Sequence, residues 1–169
     1  MKLYRFSPIS SKQELFEAIE HIHFACFDLC HKALGEYLPA SGNIGVFCHY
    51  QEEFELLIKI RNELTKSSDN SDQKYFELHE PIIVPEKDGV PETTYTHLYI
   101  RRVDPYRAQV GDIDFVMESV KYDEMKKSLS GGKKIDGLRI YPGDHLDMLE
   151  LLNSDVDALG YVTSERIDN

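Results

Sequence analysis

Tyr95, His97, Tyr99 and Arg101 alternate with Leu98 and Ile100 within the stretch from Tyr95 to Val103. In an extended strand that spacing puts the four polar or aromatic side chains on one face and the aliphatic ones on the other. The pattern recurs. Tyr75, Glu77 and His79 oppose Phe76 and Leu78; Asp112 and Asp114 oppose Ile113, Phe115 and Met117; Arg139 and Tyr141 oppose Leu138 and Ile140. Gathered in one sheet, these faces converge on a single concavity with a few placed polar groups, the make-up of a small-molecule pocket. The same alternation also fits an antiparallel sheet whose second face is simply wetted.

Within this set His97 is the first candidate for a general base, because it sits mid-strand beside Tyr95, Tyr99 and Arg101. His79, with Glu77 on its face, is the second, either in an acid–base or metal site or tied to a neighbouring loop; Pro81 nearby marks an edge or a bulge. The run Arg101-Arg102-Val103-Asp104-Pro105-Tyr106-Arg107 reads as an anion-recognition loop at the rim of the concavity or as a turn tied by Asp104 to an arginine. His49 ends a strand and is placed to cap the next helix. Cys26 and Cys30 lie one helical turn apart near His23 and His31. They read as small core residues in preference to a metal or redox pair, since no second pair completes a zinc site. Walker, GxGxxG, HExxH, GxSxG and EF-hand patterns are absent from the sequence, which removes the nucleotide-fold, zincin and hydrolase-elbow readings.

The elements that must position these groups follow from periodicity. Ser11-Lys12-Gln13-Glu14 has the form of a capping box. Behind it Leu15, Ile19, Ile22, Cys26, Leu29 and Ala33 recur at helical spacing, predicting a long first helix that ends near Gly35. Leu38 to Gly42 is a loop and Asn43 to Tyr50 a strand. Phe54, Leu57, Ile58 and Leu64 mark a second helix, followed by the polar loop Lys66 to Gln73. Further strands are predicted over Tyr75–Val84, Tyr95–Val103, Asp112–Met117, Leu138–Tyr141, Leu146–Leu152 and Leu159–Val162. A third helix, marked by Tyr122, Met125 and Leu129, stops at Gly131-Gly132. Gly42-Asn43-Ile44-Gly45-Val46-Phe47 and Gly111-Asp112-Ile113-Asp114-Phe115-Val116 each open a strand–helix unit followed by two or three strands, an internal repeat of element order.

The chain has 169 residues, with 30 acidic and 19 basic side chains and a formal net charge of −11. That length suits one domain with a sizeable core. The acidic balance opposes broad phosphate-backbone contact, so neither nucleic acid nor an anionic membrane is an expected partner. Glu52, Glu53, Glu55 and Glu63 are expected on solvated helix faces. No apolar stretch reaches the length of a membrane span. The first residues lack a continuous apolar core before a cleavage site, so no secretory signal is expected. Together with three cysteines, an odd number, this places the chain in a reducing cytoplasm.

The segment Tyr75-Phe76-Glu77-Leu78-His79-Glu80-Pro81-Ile82 resembles the F-x-LHEP stretch of YecM-like proteins, which are similar to the glyoxalase/bleomycin-resistance/dioxygenase group, the vicinal oxygen chelate superfamily. The resemblance runs from about residue 10 to about residue 152. It implies an α+β fold in one domain over 1–169: a leading helical segment (1–42), then two βαβββ modules (43–110 and 111–169). These would form a curved mixed sheet, a cup, with helices on its outer face. In that superfamily metal ligands project into the cup from the first and a late strand of each module. The matching positions here are Asn43, Arg101, Asp112 and Glu150, of which only Glu150 keeps the expected ligand type. Arginine offers no lone pair and stays protonated, so it cannot ligate a metal.

The expected function is therefore binding of a small polar or anionic molecule in the cup without metal, through Arg101, Tyr95, Tyr99, Asp112, Glu150, Arg139 and Tyr141. A metal-dependent lyase, isomerase or dioxygenase-like enzyme is the alternative. It would take His97 and His79 as catalytic groups and draw ligands for a divalent metal from His79, His97, Glu77, Asp112 and Glu150. A second alternative is a protein-interaction module with a vestigial cup. A homodimer is compatible with all three.

Overall fold

The computed structural model describes residues 6–141 and 148–165. Helix α1 spans Lys12–Leu34. Ser11 accepts a hydrogen bond from the Glu14 backbone N–H at 3.1 Å. Glu14 reaches back to the backbone and hydroxyl of Ser10 rather than to Ser11, so the capping box closes one residue earlier than its simplest form. Gly35 ends the helix in the left-handed region (φ 74°), its N–H bonded to the His31 carbonyl; only glycine enters that region without strain. Cys26 and Cys30 are buried on the helix stripe, and their sulfurs donate to the Leu159 and Glu36 carbonyls. Burial pushes the Cys30 thiol up to about 11, as expected of core residues.

Seven strands and two further helices follow: β1 Ala40–Phe47, α2 Gln51–Leu64, β2 Phe76–Val84, β3 Thr93–Arg101, β4 Gly111–Met117, α3 Ser119–Ser130, β5 Leu138–Ile140, β6 Leu149–Leu151 and β7 Leu159–Ser164. The start of the expected Leu146–Leu152 strand lies outside the described residues. One mixed sheet joins all seven in the order β2-β3-β1-β4-β7-β6-β5. β1 and β4 meet antiparallel at its centre, and each has a parallel neighbour from its own unit, β3 or β7. The fold is α+β with a curved sheet, as the order of elements implies. The second unit is β-α-β-β-β, whereas the first has two strands after its helix, one fewer than the expected module. The segment 66–73 follows α2 where a further strand would run. It has no apolar side chain to bury, and Ser68 and Asn70 bind backbone N–H groups two residues on, the local bonding that favours turns over ladders.

All three helices cover one face. Phe27 of α1 packs edge-on to Phe115 of β4 at 5.0 Å. Arg61 of α2 lies 3.8 Å over the Phe76 ring of β2, and α3 contacts β5 and β7. Ile44, Val46, Leu98, Ile100, Ile113, Phe115, Leu149, Leu151 and Val162 point into that layer and are buried. No helix among the described residues is long and apolar enough to cross a membrane.

Three side chains depart from their expected places. Tyr95 does not share a face with His97. It is fully buried on the helix side, its hydroxyl 2.6 Å from Nδ1 of His23 on α1. Alternation slips at Thr96–His97, where the Thr96 hydroxyl bonds the His97 ring and the β2–β3 register shifts between Glu77 and Ile82; such a bulge re-aims every side chain beyond it. Glu53 is not solvated but 2% exposed, accepting from Ser7 Oγ and from the backbone N–H of Ile9 and His49. The His49 ring does not cap α2; it bridges Ser7 Oγ and the Gln109 carbonyl.

Removing only the Tyr95 hydroxyl tests its placement. His23 Nε2 already has no partner among the described residues, so Tyr95→Phe leaves both ring nitrogens unpaired. We expect a loss of about 1–3 kcal/mol in denaturant unfolding. A neutral effect would put Tyr95 on the other face.

Candidate functional site

The face turned away from the helices carries the polar groups. Across its centre the register sets Asp112 of β4 beside Gly45 of β1, and Gly45 beside Tyr99 of β3. A Cβ on Gly45 would collide with Oδ1 of Asp112 and touch the Tyr99 ring. The missing side chain thus lets the carboxyl lie on bare backbone. Asp112 is 8% exposed, and its Oδ1 has no hydrogen-bond partner among the described residues. Burial, and then the like charge of Asp114, push Asp112 up to about 7, against the pull of Arg101 and Arg107. Burial likewise raises Asp114 to about 6, although Asn43 and Tyr75 hydrogen-bond to it. Two carboxyls on one strand can therefore exchange protons near neutral pH.

The cations stand at one end of this pair. Arg101, the last residue of β3, places its guanidinium 4.8 Å from the centre of the Phe47 ring, and Arg107 lies 5.8 Å from the same ring. Arg107 also pairs with Asp104 at 3.7 Å, and Asp104 accepts from the Tyr106 N–H. The turn is tied by Asp104 to an arginine, as one of the two readings expected. On the other side of β4, Glu150 of β6 is almost fully buried and receives both Nε and Nη2 of Arg139 on β5 at 2.6 Å. Tyr161 of β7 also hydrogen-bonds Glu150, and its ring meets that of Tyr141 edge-on at 5.6 Å. Arg107, Gln109, Arg139, Tyr141, Glu150 and Tyr161 line a cavity of about 530 Å3. A larger hollow of about 700 Å3 lies between the end of α3 and β5, around Lys133, Lys134 and Gly137, away from the carboxyls.

Six of the seven expected ligand-binding residues therefore share this face: Arg101, Tyr99, Asp112, Glu150, Arg139 and Tyr141. Tyr95 is absent from it. His97, opposite Glu77 in register, lies towards the β2 edge with its Nδ1 engaged by Thr96. His79 is exposed on β2, and Glu77 pairs with Lys66 at 2.8 Å, which holds its carboxyl below the usual range. Among the described residues no group of three or more His, Cys, Asp or Glu side chains could hold a metal ion. The implied ligand positions do not fit one either: Arg101 is a cation, Asn43 is committed to Asp114, and Glu150 to Arg139 and Tyr161.

Asp114, Tyr75, Tyr161 and Arg107 belong to the site but not to the expected set. Alternation had put Tyr75 and Asp114 on polar faces. What it lacked was the strand order, which brings β2, β1 and β4 together. Tyr161 lay in a tail with a weak strand signal.

No family model matches the sequence, and no curated protein does. Among solved structures, one titled "Structural Genomics, Protein EC4020" is similar, with a TM-score of 0.54 and 15% identity over 96% of this chain and 92% of that one. That likeness is one of fold.

Two variants test the central carboxyl. Asp112 and Asp114 have pKa values above the ordinary 3.8, so folding favours their protonated forms. The stability they contribute is complete below about pH 4 and is lost as pH rises through about 6 to 7. Asp112→Asn should match the native protein near pH 4 and exceed it at pH 8 by a few kcal/mol at most, since each tenfold rise in proton affinity on folding corresponds to about 1.4 kcal/mol. Parallel denaturant curves at both pH values would show a flat difference if the carboxyl were solvated. Gly45→Ala should cost about 1–3 kcal/mol by overpacking, read from thermal unfolding.

Proposed function

We propose that the chain binds a small polar molecule carrying an anionic group on the open face of the sheet, and that it does so without a metal. We propose further that it is a YecM-like relative of the vicinal oxygen chelate superfamily, in which Arg101 stands where relatives place a ligand. The position of Arg101 carries this reading. Its guanidinium rests on Phe47, forms no ion pair among the described residues, and is close enough to Asp112 to lower that carboxyl's pKa. A fixed planar cation beside a carboxyl that burial keeps partly protonated near neutral pH is left to find its counter-charge in a ligand, and its fork of N–H donors suits carboxylate and phosphate. The tyrosines Tyr99, Tyr141 and Tyr161 offer hydroxyl groups and ring faces for the rest of the molecule. The internal repeat and the similar solved fold support the kinship.

Titration calorimetry with malonate, glycolate and inorganic phosphate tests the reading on native protein and on Arg101→Ala. Loss of a charge-assisted pair, about 1.5–3 kcal/mol, should weaken binding by roughly ten- to a hundredfold while circular dichroism stays unchanged. Equal affinities, or no binding of any probe to the native chain, would overturn it. So would one tightly bound divalent ion per chain that Glu150→Gln releases.

A further inference from the structure

The first unit is one strand short, and the segment that follows α2 does not close the edge of β3. The β2–β3 ladder stops at Phe76 and Leu98. Beyond it Tyr99, Ile100 and Arg101 run along an edge that no strand covers among the described residues. Residues 71–74 cross there instead and leave a cavity of about 510 Å3 between themselves, α2 and β3. Phe54 and Ile58 of α2, both half-buried, and Phe76 of β2 give it an apolar wall. Its charged lining is Arg61, Lys74, Arg101 and Arg102, against one carboxylate, Asp72.

Four cations in one hollow run against the balance of a chain with net charge −11. None of the four forms an ion pair among the described residues, whose ion pairs engage other cations. Arg61 is the least served of them. Its guanidinium lies 3.8 Å over the Phe76 ring, and its Nε is buried with no hydrogen-bond partner among the described residues. Its Nη2 donates to the Asn62 side chain at 3.1 Å. Burial lowers its pKa, and no carboxylate offsets that cost. A guanidinium held on a ring and short of acceptors is stabilised by an anion that brings them. One carboxylate would balance only one of these charges. A phosphate monoester carries nearly two at neutral pH and offers three terminal oxygens, which suits several guanidinium forks and an ammonium. The volume is that of a small-molecule site.

We propose that this edge cavity binds a small phosphate monoester with an aromatic or apolar body. The phosphate lies among Arg61, Arg101, Lys74 and Arg102, and the body rests against Phe54 and Ile58. This deepens the anion-binding reading above, on which it rests through Arg101, and sets the anionic group at the free edge of β3.

Titration calorimetry with phenyl phosphate, inorganic phosphate and malonate tests it. The native chain should bind phenyl phosphate at least about tenfold more tightly than inorganic phosphate, because the ring adds buried apolar area. Arg61→Gln should weaken phenyl phosphate by about ten- to a hundredfold. Lys74 and Arg102 have exposed side chains, so Lys74→Ala and Arg102→Ala keep the fold even if Arg61→Gln does not. Each should weaken binding about two- to fivefold. Lys59→Ala, which removes an exposed cation of α2 outside the cavity, should leave it unchanged. Phenyl phosphate binding that Arg101→Ala weakens, but that Arg61→Gln, Lys74→Ala and Arg102→Ala do not, overturns this inference and leaves the open-face anion site standing. Equal affinity for phenyl phosphate and inorganic phosphate also overturns it, as does a loss in Lys59→Ala as large as in Lys74→Ala. Malonate binding without phenyl phosphate binding overturns this inference alone. Absence of binding by every probe overturns both.

Discussion

The structure depends on how closely β1 and β4 can be approached from both sides. Their antiparallel seam places Val46 opposite Gly111 and Gly45 opposite Asp112. On the helix side, a Cβ at Gly111 would strike the Ile22 side chain and the Gly45 carbonyl, so α1 lies directly on the strand. On the open side, the bare backbone of Gly45 accepts the Asp112 carboxyl. Two glycines in adjacent strands thus bring a helix close on one face and a carboxyl on the other. Close packing of this kind raises the cost of charge, because water and its dipoles are excluded from both sides. The perturbed acids follow from the thinness of the sheet at its centre.

The two units of the chain repeat an order of elements and differ at the residues that face the seam. If Asn43 corresponds to Asp112, the parallel registers place Tyr99 against Gly45 in one half and Tyr161 against Asp114 in the other. The tyrosines are kept. The strand position beside them is glycine in the first half and aspartate in the second. Across the seam Gly45 lies opposite Asp112, whose carboxyl extends over the bare backbone, while Asp114 meets Asn43. The halves differ also in strand number, with the polar run 66–73 in the first unit and β5 and β6 in the second.

Much of this was legible from residue types alone. The capping box and stripe from Leu15 to Leu29 define α1, and period-two patterns locate β3, β4 and β5 and sort Asp112, Asp114, Tyr99, Arg101 and Arg139 onto one side. Two kinds of information were not local. A bulge leaves no trace in composition, so strict alternation misplaced Tyr95, whose partner His23 is 72 residues away. Strand order decides which polar faces become neighbours, and the link from Tyr75 to Asp114 exists only because β3 and β1 lie between β2 and β4. Glu53 looked like any acidic residue in a first helical turn. Its burial depends on the segment 7–9 folding back over it.

The position equivalent to Arg101 in the second half is Thr163, since Phe47 pairs with Arg101 as Val116 pairs with Thr163. A duplicated sheet with matching ends would present the same functional group twice, and a molecule lying across the seam could sit in either of two reversed poses. Here one end offers a guanidinium and the other a hydroxyl. The electrostatic polarity between these two positions therefore runs in a single direction along the sheet, so that a nearly symmetric backbone carries an asymmetric charge.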